Sequence, residues 1–278
     1  MGRTLVITAD DLGIDPRTNA TIVALLREGR LSATTLIPVA AAADDAVRRI
    51  TAAGLQPPHL HFTISSGRGH APWRPLAEDV PSLVDGTGHL PVDARTAERS
   101  ATVPDVQREL HAQLAWMRAA GMPPRVLDSH SGTLYGMHGR SLADVAVDFC
   151  AEHQLAFRLP RRLGRLLAVG VPGLRRAHDL AVPQADRLGV RLPQSLVSAW
   201  LPGRFIARYA QLRAEVLWQL RRLPPGTSEL MVHPSPPSAA QAMPPTEGRK
   251  RVWELRLLRD PVFTRTLQEE EITVVPAW

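Results

Sequence analysis

One cysteine and one lysine, Cys150 and Lys250, are all that this 278-residue chain holds of either type. A lone thiol excludes an intramolecular disulfide and a cysteine-built zinc site. Cys150 also ends the amphipathic run Leu142–Cys150, which marks it as a buried structural thiol. Aromatic residues make up only 5% of the chain, so the core must rest on Leu, Val, Ile and Ala. The chain's arginine patches are not interleaved with the aromatics that single-strand binders use for stacking. The net charge of +6 is therefore not read as a nucleic-acid footprint, since its arginines are scattered through helical segments. The denser patches are Arg158 to Arg165 and the pair Arg175-Arg176. No apolar stretch approaches the ~20 residues of a membrane span. The N-terminus has no secretory pattern and runs at once into a strand, so a cytoplasmic location is expected.

What the chain does have is a recurring pattern of short apolar runs that end in a metal-type or proton-transfer residue. Leu5-Val6-Ile7 leads to Asp10-Asp11, the run from Pro58 to Thr63 carries His61, and Arg125-Val126-Leu127 leads to Asp128-Ser129-His130. Leu155-Ala156-Phe157 leads to Arg158, and Leu230-Met231-Val232 to His233. In parallel βα architectures the active site gathers at the carboxyl ends of the strands. Five such endings predict one site assembled from the whole chain, and the carboxylate–imidazole mix suits a divalent metal.

Strand–helix alternation implies parallel pairing with right-handed crossovers. We expect a single α/β domain over residues 1–278, an irregular TIM-type β/α barrel. Asp15-Pro16 reads as a helix start and Gly29 as its end. Two stretches break the alternation, Ser65–Val103 and Pro160–Pro202. Both are rich in Gly, Pro and polar residues, and both are expected to be irregular loops forming a substrate rim.

Of the adjacent acids Asp10 and Asp11, one can ligate a metal while the other takes a proton from water. His61 lies nearer the strand end than His59, which is expected to be structural. Asp128 either orients His130 or touches substrate, and Arg158 suits an inward-facing charge that balances carboxylates. His233 precedes Pro234, which fixes its direction, and reads as a general acid or substrate contact. His111, His153 and His178 are expected to face solvent, and His138 to be a loop residue.

This order of motifs resembles the YdjC-like carbohydrate deacetylases, the ChbG/HpnK group. Thr8-Ala-Asp-Asp-Leu-Gly13, Ser32-Ala-Thr-Thr-Leu36, His61-Phe-Thr-Ile64, Asp128-Ser-His130 and Val232-His-Pro-Ser235 fall in the family's order, and the tail from Arg251 to the Ile272 strand is similar. The resemblance implies a NodB-like irregular barrel that removes N-acetyl groups from amino sugars with one divalent metal ion. It implies Asp11, His61 and His130 as metal ligands, Asp10 as general base and His233 as the acid; Asp128 and Arg158, from their strand-end positions, are expected to contact the substrate. The family is described with Mg²⁺, while two imidazoles and a carboxylate also suit Zn²⁺. Two departures stand out: Gly132 and Leu134 occupy positions where many members carry histidine, and the family's proline-glycine after the last histidine is Pro234-Ser235 here. An N-acetylated amino sugar or glycoconjugate is the expected partner, without nucleic acid or membrane span, and homodimerisation is left open. Two other readings compete with this one. One is a metal-dependent phosphoesterase using Arg158, Arg161 and Arg162, and the other is a non-catalytic sugar-binding homologue.

Overall fold

The structure is a computed structural model that describes residues 2–164 and 174–278. Among the described residues, eight strands form one all-parallel sheet: β1 (Arg3–Leu12), β2 (Ala33–Leu36), β3 (His59–Phe62), β4 (Val126–Ser129), β5 (Ala156–Phe157), β6 (Leu196–Val197), β7 (Gly226–Val232) and β8 (Ile272–Val274). The order across the sheet is β5-β4-β3-β2-β1-β7-β6, with β8 paired to the start of β1. Strand β1 is central and carries Leu5, Val6 and Ile7 buried on both faces. Such a continuous apolar run is what a parallel strand covered on each side requires.

The sheet curls until its outer strands face each other, and the gap is bridged outside any regular ladder. Phe157 N donates to Arg191 O (3.0 Å), Arg161 N to Pro193 O (2.8 Å) and Arg162 N to Gln194 O (3.0 Å). The expected irregular β/α barrel is therefore present, with its irregularity at the β5–β6 seam.

Helices α1 (Pro16–Arg27), α2 (Ala43–Ala52), α4 (Val103–Ala119), α5 (Ala143–His153), α7 (Tyr209–Leu220), α9 (Pro245–Leu258) and α10 (Pro261–Glu269) supply the expected strand–helix alternation. The α1 start is capped as its sequence predicts: the Asp15 carboxylate accepts from Arg17 N and Thr18 N. A short helix α8 (Pro237–Ala240) follows β7.

The two stretches expected to be irregular are more ordered than that. Ser65–Val103 contains α3 (Ala94–Ser100) and is pinned by buried carboxylates. Glu109 accepts from Leu76 N and Ala77 N, Asp105 from Ser82 N, and Glu98 from Arg140 N. Pro160–Pro202 contains α6 (Leu174–Leu188) and β6. Helix α6 escapes sequence reading because Pro183 interrupts it and its buried face is Leu174, His178, Ala181 and Ala185, with one large apolar side chain. His178, expected in solvent, is buried on that face with Nε2 2.6 Å from Pro160 O. Arg165, part of the dense arginine patch, lies outside the described residues. Among the described residues no helix is long and apolar enough to cross a membrane.

Candidate metal-dependent active site

The site begins with an irregularity in β1. Between the pairs Ala9–Thr34 and Leu12–Leu36, β1 advances three residues while β2 advances two. A bulge of this kind re-aims a side chain, and Asp11 sits in it with a left-handed φ of 69°. Asp10 and Asp11 consequently both border the cavities at the strand ends, although neighbours in a regular strand face opposite ways. The strand pairing interrupted there is replaced by side chains of β2. Thr34 Oγ1 donates to Ala9 O (2.7 Å), and Thr35 Oγ1 accepts from Asp11 N (3.2 Å). That accounts for the two threonines of Ser32-Ala-Thr-Thr-Leu36. Gly13 closes the motif at φ 99°, where a Cβ would meet Ile37 O at 3.1 Å. Buried Asn19 accepts from Gly13 N (2.7 Å) and fixes that turn.

Asp11, His61 and His130 converge from β1, β3 and the turn after β4. Asp11 Oδ1 lies 3.3 Å from His61 Nε2 and 3.2 Å from His130 Nδ1. Their three ligand atoms all lie within 4.8 Å of one another. His130 is positioned by a tight turn in which Ser131 and Gly132 both adopt positive φ. A Cβ at Gly132 would come within 2.8 Å of Met137 Cγ, so this chain has no room for a histidine there as it stands. Leu134 is fully buried in the core.

His61 and Asp128 are register partners on β3 and β4. Asp128 Oδ1 sits 2.5 Å from His61 Nδ1, which turns Nε2 toward Asp11. A carboxylate behind a histidine in this way fixes the ring's tautomer and orientation. Asp128 is thus paired with His61 and not with His130, and it is fully buried. That placement corrects the expected substrate contact: the β3–β4 register lays the carboxylate beneath the rim, beside the His61 ring. Arg158 also lies below the rim and is 2% exposed. It reaches Asp10 Oδ2 (2.8 Å), Asp128 Oδ2 (2.7 Å) and Glu229 Oε1 (2.8 Å). Its guanidinium borders a cavity wall, but three carboxylates engage it, so it balances charge as its sequence context suggested.

His233 follows β7 and is partly exposed. Its Nε2 is 3.9 Å from Asp10 Oδ2 and its Nδ1 3.6 Å from Glu254 Oε2. Glu254 Oε2 also accepts from the His233 backbone N at 2.7 Å. His59 is one strand repeat below His61, stacked edge-on to Trp278 at 5.8 Å, and is absent from the metal-type cluster. Burial pushes its imidazole down to about 4.

Sequence reasoning missed Arg251, Glu254, Glu229 and Asn19. Arg251 Nη2 ion-pairs with Asp11 Oδ2 at 2.7 Å from helix α9, and Glu254 lies on the same helix face. Glu229 was detectable, being the one charge in Ser228–Val232, the same signal that singled out Arg158.

The electrostatics are those of a site built for a cation. Four buried carboxyls, Asp10, Asp11, Asp128 and Glu229, face two buried guanidiniums, Arg158 and Arg251. Burial pulls the His61 imidazole down, yet Asp128, Asp11 and Asp10 outweigh it and push it up to about 10. Burial raises the Asp11 carboxyl, but Arg251 and the two imidazoles hold it well below the usual range. For Asp10 the opposing forces are burial, which raises it, and Arg158, His61 and His233, which bring it down. Burial lifts Glu229 against Arg158, to about 7. One carboxylate and two imidazoles in an electronegative, buried setting fit a divalent cation. One Asp10 oxygen, Oδ1, is buried without a partner.

Two cavities meet over these groups. One, of about 470 Å³, has walls polar and apolar in about equal parts and includes Arg68, His138, Arg204, Lys250 and Arg251 in its lining. The other, of about 270 Å³, is bordered by Asp10, His61 and His233 and has mostly apolar walls. Both expected rim stretches contribute, through Ser66–Arg68 and Pro202 to the first cavity and through Pro160, Leu163 and Trp200 to the second.

The barrel has counterparts among known proteins. The YdjC-like protein family matches residues 4–269, and this chain belongs to it. A Geobacillus stearothermophilus protein named carbohydrate deacetylase is 27% identical over 99% of this chain and 97% of its own length. A human protein of the same name is 29% identical over 96% of this chain and 88% of its own. An Enterococcus faecalis crystal structure, ascribed to cellobiose-phosphate cleavage, shares the fold with a TM-score of 0.76 at 19% identity. It covers 99% of this chain and 97% of its own.

Proposed function

We infer that this protein is a metal-dependent carbohydrate N-deacetylase, hydrolysing the amide of an N-acetylated amino sugar or its conjugate. The observation that carries the reading is the cluster of Asp11, His61 and His130 with Asp10 and His233 beside it. The cluster stands in a YdjC-like chain whose full-length relatives are named carbohydrate deacetylase.

Asp11, His61 and His130 would hold the cation, Mg²⁺ or a transition metal such as Zn²⁺. When bound, it supplies charge that polarises the amide carbonyl and makes water more acidic. Asp10 takes the proton from the attacking water through its unpartnered Oδ1. Arg158 grips the other oxygen and keeps the carboxylate ionised. The water oxygen adds to the carbonyl carbon, the C–N bond breaks, and acetate and a free amine leave. His233 faces both cavities and delivers a proton to the departing nitrogen, its ring steered by Glu254. Arg251 holds the remaining Asp11 oxygen and so fixes the ligand's direction.

The phosphoesterase reading loses two of its three cations. Arg158 is consumed by three carboxylates, and Arg161 pairs with Asp186 at 2.6 Å on the surface. The purified protein, supplied with Mg²⁺ or Zn²⁺ and offered a panel of N-acetylated amino sugars, should release acetate and primary amine in equal amounts from at least one. Phosphate release from sugar phosphates without acetate release from any N-acetyl substrate would contradict the assignment.

A further inference from the structure

The larger cavity, with its charged side chains, and the smaller, mostly apolar one share three lining residues, Ser131, His138 and His233. The reactive groups thus lie at the junction of a chamber of mixed character and a mostly apolar one. An N-acyl amino sugar has the matching construction, a hydroxyl-rich ring on the nitrogen side of the amide and hydrocarbon on the carbonyl side. The hydroxyls find charged and hydrogen-bonding partners in the larger chamber. The apolar one, walled by Tyr135, Met137, Leu159, Leu196, Trp200 and Met231, would leave them unpaired, at a cost in free energy.

The apolar chamber is also too large for an acetyl methyl. Its volume is about 270 Å³, while a cavity of roughly 150 Å³ already accommodates benzene. Gly132 lines this chamber, and its missing side chain lets Met137 approach, so the wall there is apolar.

We propose that the apolar chamber is an acyl-chain pocket and that the preferred substrates carry N-acyl groups longer than acetyl. This rests on the deacetylase reading and extends it from the acetyl group to a medium-length acyl chain. Each methylene buried only as the transition state forms raises kcat/KM by about fourfold.

The test uses the metal-loaded protein and glucosamine bearing acetyl, butanoyl or hexanoyl on its nitrogen, with primary amine release as readout. Expected is a kcat/KM that climbs by about fourfold per methylene over the first few carbons. Ala143→Leu and Leu196→Trp each add bulk to the chamber wall and should return the hexanoyl substrate to the acetyl level while leaving the acetyl rate unchanged. The two variants sit on different elements, α5 and β6, so a folding failure in one leaves the other. A rate that is highest for acetyl and falls with chain length overturns the acyl pocket while N-deacetylation stands. A gain seen when an alkyl chain is placed on the anomeric oxygen, and not on the amide, also overturns it and gives the chamber to an aglycone. Failure to hydrolyse any chain length overturns the deacetylase reading itself.

Discussion

Asp10→Asn is expected to keep its full complement of divalent cation and to lose turnover by about a hundredfold or more, the usual size of general-base assistance. Asp11→Asn should lose cation and turnover together. The division follows from what each carboxylate touches. Asp11 Oδ1 lies 3.2–3.3 Å from both imidazoles of the cluster, and its Oδ2 is taken by Arg251. A carboxylate with its lone pairs so engaged is a poor proton acceptor. Asp10 has Arg158 on one oxygen and no partner on the other, which leaves an ionised group with room for a proton. Elemental analysis read beside acetate release separates the two variants. Loss of metal from Asp10→Asn with retention in Asp11→Asn would reverse the roles.

Arg158→Met should destabilise the fold by about 3–5 kcal/mol, the range for removing one partner of a buried ion cluster. The guanidinium ties β1, β4 and β7 together through Asp10, Asp128 and Glu229, all of them buried. Without it, three carboxyls are left facing one another away from water. The sign with pH follows from the Asp10 carboxyl, which the parent holds below its ordinary value of 3.8. That contribution is present above 3.8 and is lost as pH falls through the lower folded value. In the variant the orphaned carboxyls are pushed up, so folding favours their protonated forms and stability declines as pH rises. The gap between parent and variant is therefore widest at neutral pH and closes on acidification. Denaturant unfolding at two pH values reads it directly. A gap that does not change with pH would mean Arg158 acts through packing alone.

The strand ends were legible because the physics there is local: a short apolar run followed by a charge or an imidazole marks a buried strand meeting a polar site. Asp10, Asp11, His61, His130, Arg158 and His233 all come from that one signal, and the structure gathers them at one end of the barrel. What stayed hidden depends on register and on distant chain. Asp128 lies beside His61 because β3 and β4 align Leu60 with Leu127, and no pattern in either strand announces that alignment. The bulge at Asp11 is similarly silent: no residue of the motif marks it, and β1 continues past it to Leu12. Arg251 and Glu254 sit among the many arginines and acids of a charged helix, where nothing local separates a buried guanidinium from a solvated one. Helix α6 hid behind Pro183 and alanines too small to give an apolar stripe.

The central claim is that one divalent cation, held by Asp11, His61 and His130, makes this barrel a deacetylase. The measurement that tests it most directly strips the purified protein with a chelator, titrates back Mg²⁺ or Zn²⁺ and follows acetate release from an N-acetylated amino sugar. Turnover should vanish on stripping, return with added cation and saturate at one ion per chain, while His130→Ala, still folded, recovers neither ion nor turnover. Undiminished turnover in the stripped protein, or a full cation complement in His130→Ala, would contradict the account.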